Sequence, residues 1–222
     1  MPRHRSNQEI EIKLRIANVS ALRRRLNQLG AREVSPRTHE SNTLYDTLKK
    51  DLALRGQLIR IRIEKPSQAK QRQHRPQPAQ ALLTFKGPPQ ASPRVRRATD
   101  RPPNNSRYKV REEIEIAISD AEQMHRILIA LGLRPLFRYE KFRTTYTLPG
   151  LRNLNIEFDE TPIGTFLELE GSPFAIDRAA RLLGYARSHY ITQTYGDLYI
   201  AAGRRGGHQP VDMLFPPTKK LR

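Results

Sequence analysis

Polar and apolar residues alternate with period two along most of this chain. Residues 9–16 (EIEIKLRI) alternate strictly, with Glu9, Glu11, Lys13 and Arg15 on one face and isoleucine and leucine on the other. That period is the signature of a strand with two unlike faces. The same reading predicts strands over 41–46, 59–64, 82–86, 108–118, 139–146, 154–159 and 165–170, with 41–46 the weakest pattern. Arg60, Arg62 and Glu64 share a face, as do Thr84 and Lys86, Lys141 and Arg143, Glu157 and Asp159, and Glu168 and Glu170. In 108–118, Arg111, Glu113 and Glu115 stand opposite Ile114, Ile116 and Ile118.

Between some strands the period changes to that of a helix. Residues 19–29 place Val19, Leu22, Leu26 and Leu29 on one stripe and stop at Gly30. Residues 120–131 repeat the arrangement, with Asp120 as N-cap and Gly132 as the stop. Further helices are predicted over 173–183, ended by Gly184, and over 188–199.

The charged faces could simply meet solvent. Three features point them inward instead. The amphipathic helices need an apolar surface to cover, and eight strands closed into a barrel offer one on the outside. The charges also come in like-sign pairs at i and i+2, roughly 6.5–7 Å apart, where like charges repel by about 2 kcal/mol at an effective dielectric near 20. Such pairs make sense if a cation neutralises the acids and a polyanion the bases. Finally, the faces hold nine acids and eight bases, the internal compensation that an enclosed polar space requires. The expected fold is α+β: a closed antiparallel eight-stranded β-barrel tunnel with a polar interior and amphipathic helices packed outside.

Composition adds a basic periphery. The formal net charge of +18 comes largely from residues 1–7, 66–81, 87–107 and 203–222, and eight of the 17 prolines fall between Pro66 and Pro103. Such stretches bury too little apolar area to offset their ordering entropy. The expected organisation is one tunnel domain over 8–202, flexible basic loops at about 66–81 and 87–107, and a disordered basic tail over 203–222. The basic segments are expected to give weak, salt-sensitive binding to nucleic acid or other polyanions. They lack the interleaved aromatics of a single-strand platform.

The chain has no cysteine, which excludes disulfides, thiolate metal sites and a cysteine nucleophile. No segment approaches the ~18 apolar residues of a membrane span, and residues 1–9 lack a secretory apolar core. A soluble cytoplasmic protein is expected. There is no P-loop and no nucleophile-elbow motif. Carboxylates on several strands offer hard oxygen ligands suited to Mg²⁺ or Mn²⁺. Arginine and lysine on four strands suit a long phosphate chain.

The ordered set of motifs resembles the CYTH superfamily, also called triphosphate tunnel metalloenzymes. The set is Glu9-Ile-Glu-Ile-Lys13, Arg60-Ile-Arg62, Thr84-Phe-Lys86, Arg111-x-Glu113-x-Glu115, Lys141-Phe-Arg143, Glu157-Phe-Asp159 and Phe166-Leu-Glu168-Leu-Glu170, with Thr194-Tyr195 near the end. The similarity spans roughly 8–200. It implies an eight-stranded tunnel that acts on triphosphates, as class IV adenylyl cyclases, thiamine triphosphatases and tripolyphosphatases do. By resemblance, Glu9, Glu11, Glu168 and Glu170 are the catalytic metal-holding carboxylates, assisted by Asp159. Lys13, Arg60, Arg62, Lys86, Lys141 and Arg143 bind the triphosphate of a small molecule. Arg111, Glu113, Glu115 and Glu157 support them. The leading expectation is an Mg²⁺- or Mn²⁺-dependent phosphohydrolase. A class IV adenylyl cyclase is the alternative, and a polyphosphate- or nucleic-acid-binding module without turnover the second. Oligomeric state is not readable from these residues.

Overall fold

The computed structural model describes residues 8–67, 79–90, 107–205 and 211–217. Eight strands run as β1 (Gln8–Ile16), β2 (Arg32–Asp46), β3 (Leu58–Pro66), β4 (Gln80–Lys86), β5 (Lys109–Ile118), β6 (Arg134–Thr147), β7 (Leu154–Thr161) and β8 (Gly164–Gly171). They close into one barrel in the order β1-β5-β4-β3-β2-β6-β7-β8, and β1 completes the ring by pairing with β8. Every pairing is antiparallel.

Most apolar residues of the strands lie outside the barrel wall, as the alternation requires. Helices α1 (Val19–Gln28) and α4 (Pro173–Leu182) cover the outward faces of β1, β7 and β8. Leu22, Leu26, Ile176, Ala179 and Ala180 pack there against Ile12, Leu14, Ile156, Leu167 and Leu169. The short helix α2 (Asp51–Leu54) follows β2, and on the side opposite α1 and α4, Met124 and Leu128 of α3 (Ala121–Ala130) pack with Tyr45, Ile61 and Ile118. Asp120 is the N-cap that the sequence predicts and accepts from the Glu122 and Gln123 N–H groups, while Asn18 caps α1 by accepting from the Ala21 N–H. Gly30 and Gly132 continue the chain at φ of 69° and 88°, where other residues pay a steric penalty. Among the described residues no helix is long and apolar enough to cross a membrane.

Three expectations need correction. The weakest predicted strand, 41–46, is the C-terminal part of the longest one, β2, at 15 residues. Its first half is polar and interrupted by Pro36, and two register shifts between Glu33 and Thr38 absorb the proline, which cannot donate to a ladder. The predicted helix over 188–199 is instead a 3₁₀ turn (Arg187–His189), an extended stretch and the helix α5 (Tyr195–Arg205). Ile191 exchanges two backbone hydrogen bonds with Lys13, which holds the extended stretch against β1. Thr194 and Asp197 then start α5 with a reciprocal pair of side chain–backbone bonds, the logic of a capping box.

The third correction concerns the tail. Residues 203–205 complete α5, and 211–217 form an ordered strap beside β6. Met213 exchanges backbone hydrogen bonds with Arg138 and Glu140, at a level that β7 does not reach, since β7 pairs only from Phe142 onward. Met213 is fully buried with Phe166 and Tyr195, and Phe215 packs on Phe142 with ring centroids 5.2 Å apart. Two apolar anchors and a free strand edge outweigh the basic, proline-rich composition. Residues 68–78, 91–106, 206–210 and 218–222 lie outside the described residues, and with them most of the positions to which loop flexibility and polyanion binding were assigned.

Candidate active site

The barrel encloses a cavity of about 300 Å³. Its wall includes Glu9, Glu11, Lys13, Arg60, Arg62, Lys86, Glu113, Glu115, Lys141, Arg143, Glu157, Glu168 and Glu170. Thirteen of the fifteen residues singled out from the sequence therefore meet in one lumen. Strand pairing fixes how they meet. Glu11 stands opposite Glu170 and Lys13 opposite Glu168 on the β1–β8 ladder. Glu157 faces Glu168 between β7 and β8. Lys86 faces Glu113 between β4 and β5.

The charges neutralise one another across strands. Lys86 donates to both oxygens of Glu9 at 2.7 and 2.6 Å. Lys13 bonds Glu11 at 3.0 Å and Glu168 at 3.1 Å, and Lys109 reaches Glu11 at 2.5 Å. Arg60 bonds Thr84 at 3.1 Å and Tyr139 at 3.2 Å, and lies 3.5 Å from Glu115. Arg143 is gripped by Glu157, Glu168 and Asp159.

Burial and neighbouring charge push the carboxylates in opposite directions. Burial would raise Glu11, but Lys109 and Lys13 outweigh it and hold its carboxyl well below the usual range. Glu168 is likewise buried, and Lys13, Lys141 and Arg143 keep it low. Glu9 is pushed up to about 7 by burial and the Glu11 charge, against Lys86. Glu170 is raised by burial and by Glu113 and Glu11. Glu157 is raised well above the ordinary value, chiefly by burial.

Two of the fifteen stand elsewhere. Asp159 shares the inward face of β7 with Glu157 and stands across from Arg143, but it is fully buried and does not reach the cavity. Its oxygens accept from Arg143 Nε at 2.7 Å, Lys141 Nζ at 3.0 Å and Tyr195 Oη at 2.8 Å. The expected metal-assisting role does not suit that placement, because Asp159 is fully buried away from the cavity that the other carboxylates line. Arg111, the cross-strand partner of Glu9, is buried and off the cavity wall, with its Nε unpartnered.

The CYTH domain profile matches residues 7–182. This chain belongs to the CYTH family. A protein of Methanocaldococcus jannaschii whose name provisionally assigns it as an adenylate cyclase is 26% identical over 175 residues, covering 79% of this chain and 83% of that one. A Vibrio parahaemolyticus structure with the same provisional assignment shares the fold at a TM-score of 0.65 and 17% identity, covering 88% and 99% of the two chains. A Pyrococcus horikoshii protein aligns at a TM-score of 0.63 and 22% identity, over 87% and 99%. A Hippeastrum protein, provisionally an adenylyl cyclase and described as having a dominant triphosphatase activity, aligns at 0.51 and 20%, over 95% and 99%.

This CYTH barrel also brings in residues that sequence reasoning missed. Glu40 is 2% exposed and within 3.4–3.6 Å of Arg62, Lys141 and Arg143. Despite burial, those three bases bring its pKa down to about 2. It lies on the part of β2 that the alternation did not reveal. Lys109 lines the cavity from the first position of β5, two residues before the Arg111 motif and on its face by the same period of two. Tyr139, Leu44, Leu58 and Phe137 line it as well.

Among the described residues no three carboxylate or histidine side chains already converge as a metal site. The donor set nevertheless fits a hard divalent cation. Glu9, Glu11, Glu168 and Glu170 share the lumen, all supply oxygen, and burial together with neighbouring carboxylates raises Glu9 and Glu170, a cost that a cation offsets. Lysine ammonium groups hold Glu9, Glu11 and Glu168.

Proposed function

We propose that this protein is a divalent-cation-dependent phosphohydrolase acting on a triphosphate group held inside the barrel. The observation that carries the reading is that the six phosphate-binding candidates and the four metal-holding candidates line one barrel lumen. Lys13, Arg60, Arg62, Lys86, Lys141 and Arg143 bind phosphate oxygens. Arginine does so in bidentate fashion and stabilises the charge that spreads over the phosphoryl oxygens as the bond breaks. Glu9, Glu11, Glu168 and Glu170 hold Mg²⁺ or Mn²⁺, which supplies Lewis-acid polarisation of the phosphate oxygens when bound. Glu113, Glu115 and Glu157 orient the bases beside them, and Arg111 holds the β1–β5 corner. Asp159, itself held by Tyr195, anchors Lys141 and Arg143, so that these two bases keep their orientation as the substrate enters.

A second reading, cyclisation of ATP to cyclic AMP and pyrophosphate, is favoured by the relatives named provisionally as adenylate cyclases. A third is binding without turnover. One experiment separates them. Purified protein is incubated with Mg²⁺ or Mn²⁺ and, in turn, ATP, thiamine triphosphate and tripolyphosphate. Orthophosphate release is expected. Cyclic nucleotide with pyrophosphate would replace the hydrolase by the cyclase, and binding without product would remove catalysis altogether.

A further inference from the structure

The lumen is not polar throughout. Leu44, Leu58 and Phe137 line it alongside the charged groups. Leu44 is the cross-strand partner of both Arg60 and Phe137, and Leu58 stands two residues before Arg60 on the same face of β3. The Phe137 ring stacks near-parallel on Tyr139, at 22° and 6.0 Å between centroids. The start of α5 closes against it: a Cβ on Gly196 would stand 3.6 Å from Phe137 Cε1. These side chains therefore form an apolar patch directly beside Arg60, in a barrel whose other inward positions are overwhelmingly ionic.

An apolar wall inside a charged site is costly for a bare polyphosphate. Its oxygens would lose water there without gaining donors. It is favourable for a flat or apolar group attached to a phosphate chain, which gains burial and ring contact while the phosphates remain on the bases. Leu44, Leu58 and Phe137 are each only half-buried, so they present surface to the lumen rather than being consumed in packing. On the triphosphate reading above, we propose that Leu44, Leu58 and Phe137 are a subsite for the organic group of the substrate. The preferred substrates are then triphosphate monoesters of an alcohol that carries an aromatic or heteroaromatic ring, as nucleosides do, rather than inorganic tripolyphosphate.

The test is steady-state turnover of ATP, thiamine triphosphate and tripolyphosphate by the full chain and by Leu58→Ser and Phe137→Ala, following both orthophosphate and pyrophosphate. At least one organic triphosphate is expected to have a lower KM than tripolyphosphate in the unaltered protein. Each substitution is expected to raise that KM about tenfold while changing the tripolyphosphate KM less than about twofold, the size of effect that loss of one apolar contact gives. Phe137 also packs toward Tyr199. Melting curves accompany the kinetics, and if Phe137→Ala unfolds, Leu58→Ser at the strand end carries the test. Equal effects on all substrates, no effect on any, or an unaltered protein that prefers tripolyphosphate would overturn the subsite while leaving the triphosphatase reading standing. No turnover of any of the three would overturn both.

Discussion

Asp159→Asn tests whether the rear of the phosphate-binding wall is held electrostatically. The substitution keeps the side chain's shape and removes the one fully buried charge that touches Lys141, Arg143 and Tyr195 together. Arg143 would keep Glu157, Glu168 and Glu40. Among the described residues Lys141 would keep Glu40, at 3.4 Å, as its ion-pair partner, so most of the loss falls on it. Removing one partner from a buried ion pair costs roughly 3–5 kcal/mol, and the surviving partners favour the lower end. For a chain of this size, roughly 2–4 °C of melting temperature accompanies each kcal/mol, so a drop of about 6–12 °C is expected by calorimetry at neutral pH. Tyr195→Phe removes a single hydrogen bond to the same carboxylate and should lower the melting temperature by about half as much. Tripolyphosphate, on the proposed reading, supplies new anions to the two bases, so it should stabilise Asp159→Asn more than it stabilises the unaltered protein. A change in melting temperature under about 2 °C would refute the reasoning, because Lys141 would then have been indifferent to its nearest carboxylate.

Glu168→Gln leaves Lys13 its bond to Glu11, so the fold is expected to survive while turnover falls by about 100-fold. Unchanged kcat would remove Glu168 from the catalytic set. Met213→Ala deletes the buried anchor of the strap. It is expected to accelerate protease cleavage after Arg205 by about tenfold for each 1.4 kcal/mol of docking lost, read by mass spectrometry, and an unchanged cleavage rate would show that the backbone bonds alone hold the strap. Acid sensitivity follows from Glu40. Its folded pKa lies below the ordinary carboxylate value at about 2, so its stabilising contribution is complete above the unfolded pKa and is lost as pH falls from about 4.5 toward 2. The urea midpoint should fall over that interval, and Glu40→Gln should flatten the fall; an equally steep fall in the variant would assign the acid response elsewhere.

The barrel was legible where strand alternation was strict. From Glu9 to Ile16 and from Leu167 to Glu170 charged and apolar residues alternate strictly, and both faces are committed, so register and orientation follow together. In β2 the outward positions are polar as well, because no helix covers the stretch from Glu33 to Ser41 and nothing demands apolar residues there. With both faces polar the period disappears, and Glu40 went with it. The C-terminal segment was misread for a different reason. Net charge and proline content describe a segment's average, whereas docking depends on a few residues and on an edge left open elsewhere. Met213 and Phe215 suffice because β6 outruns β7 and leaves backbone groups to be paired.

The like-sign pairs carried the inward orientation of the charged faces, yet their neutralising partners differ from those the pattern implies. Glu9 and Glu11 are balanced by Lys86, Lys13 and Lys109, and Arg62, Lys141 and Arg143 share Glu40. An i, i+2 reading sees one strand at a time and misses compensation that comes from its neighbours across the ladder. The distinction bears on how the proposed chemistry starts. A lumen already neutral within itself gives a polyanion or a cation entering alone little net attraction, since each must displace a partner and leave it buried and unpaired. Entering together, the phosphates take the lysines and arginines while the cation takes the carboxylates they release, and no buried charge is stranded at any position.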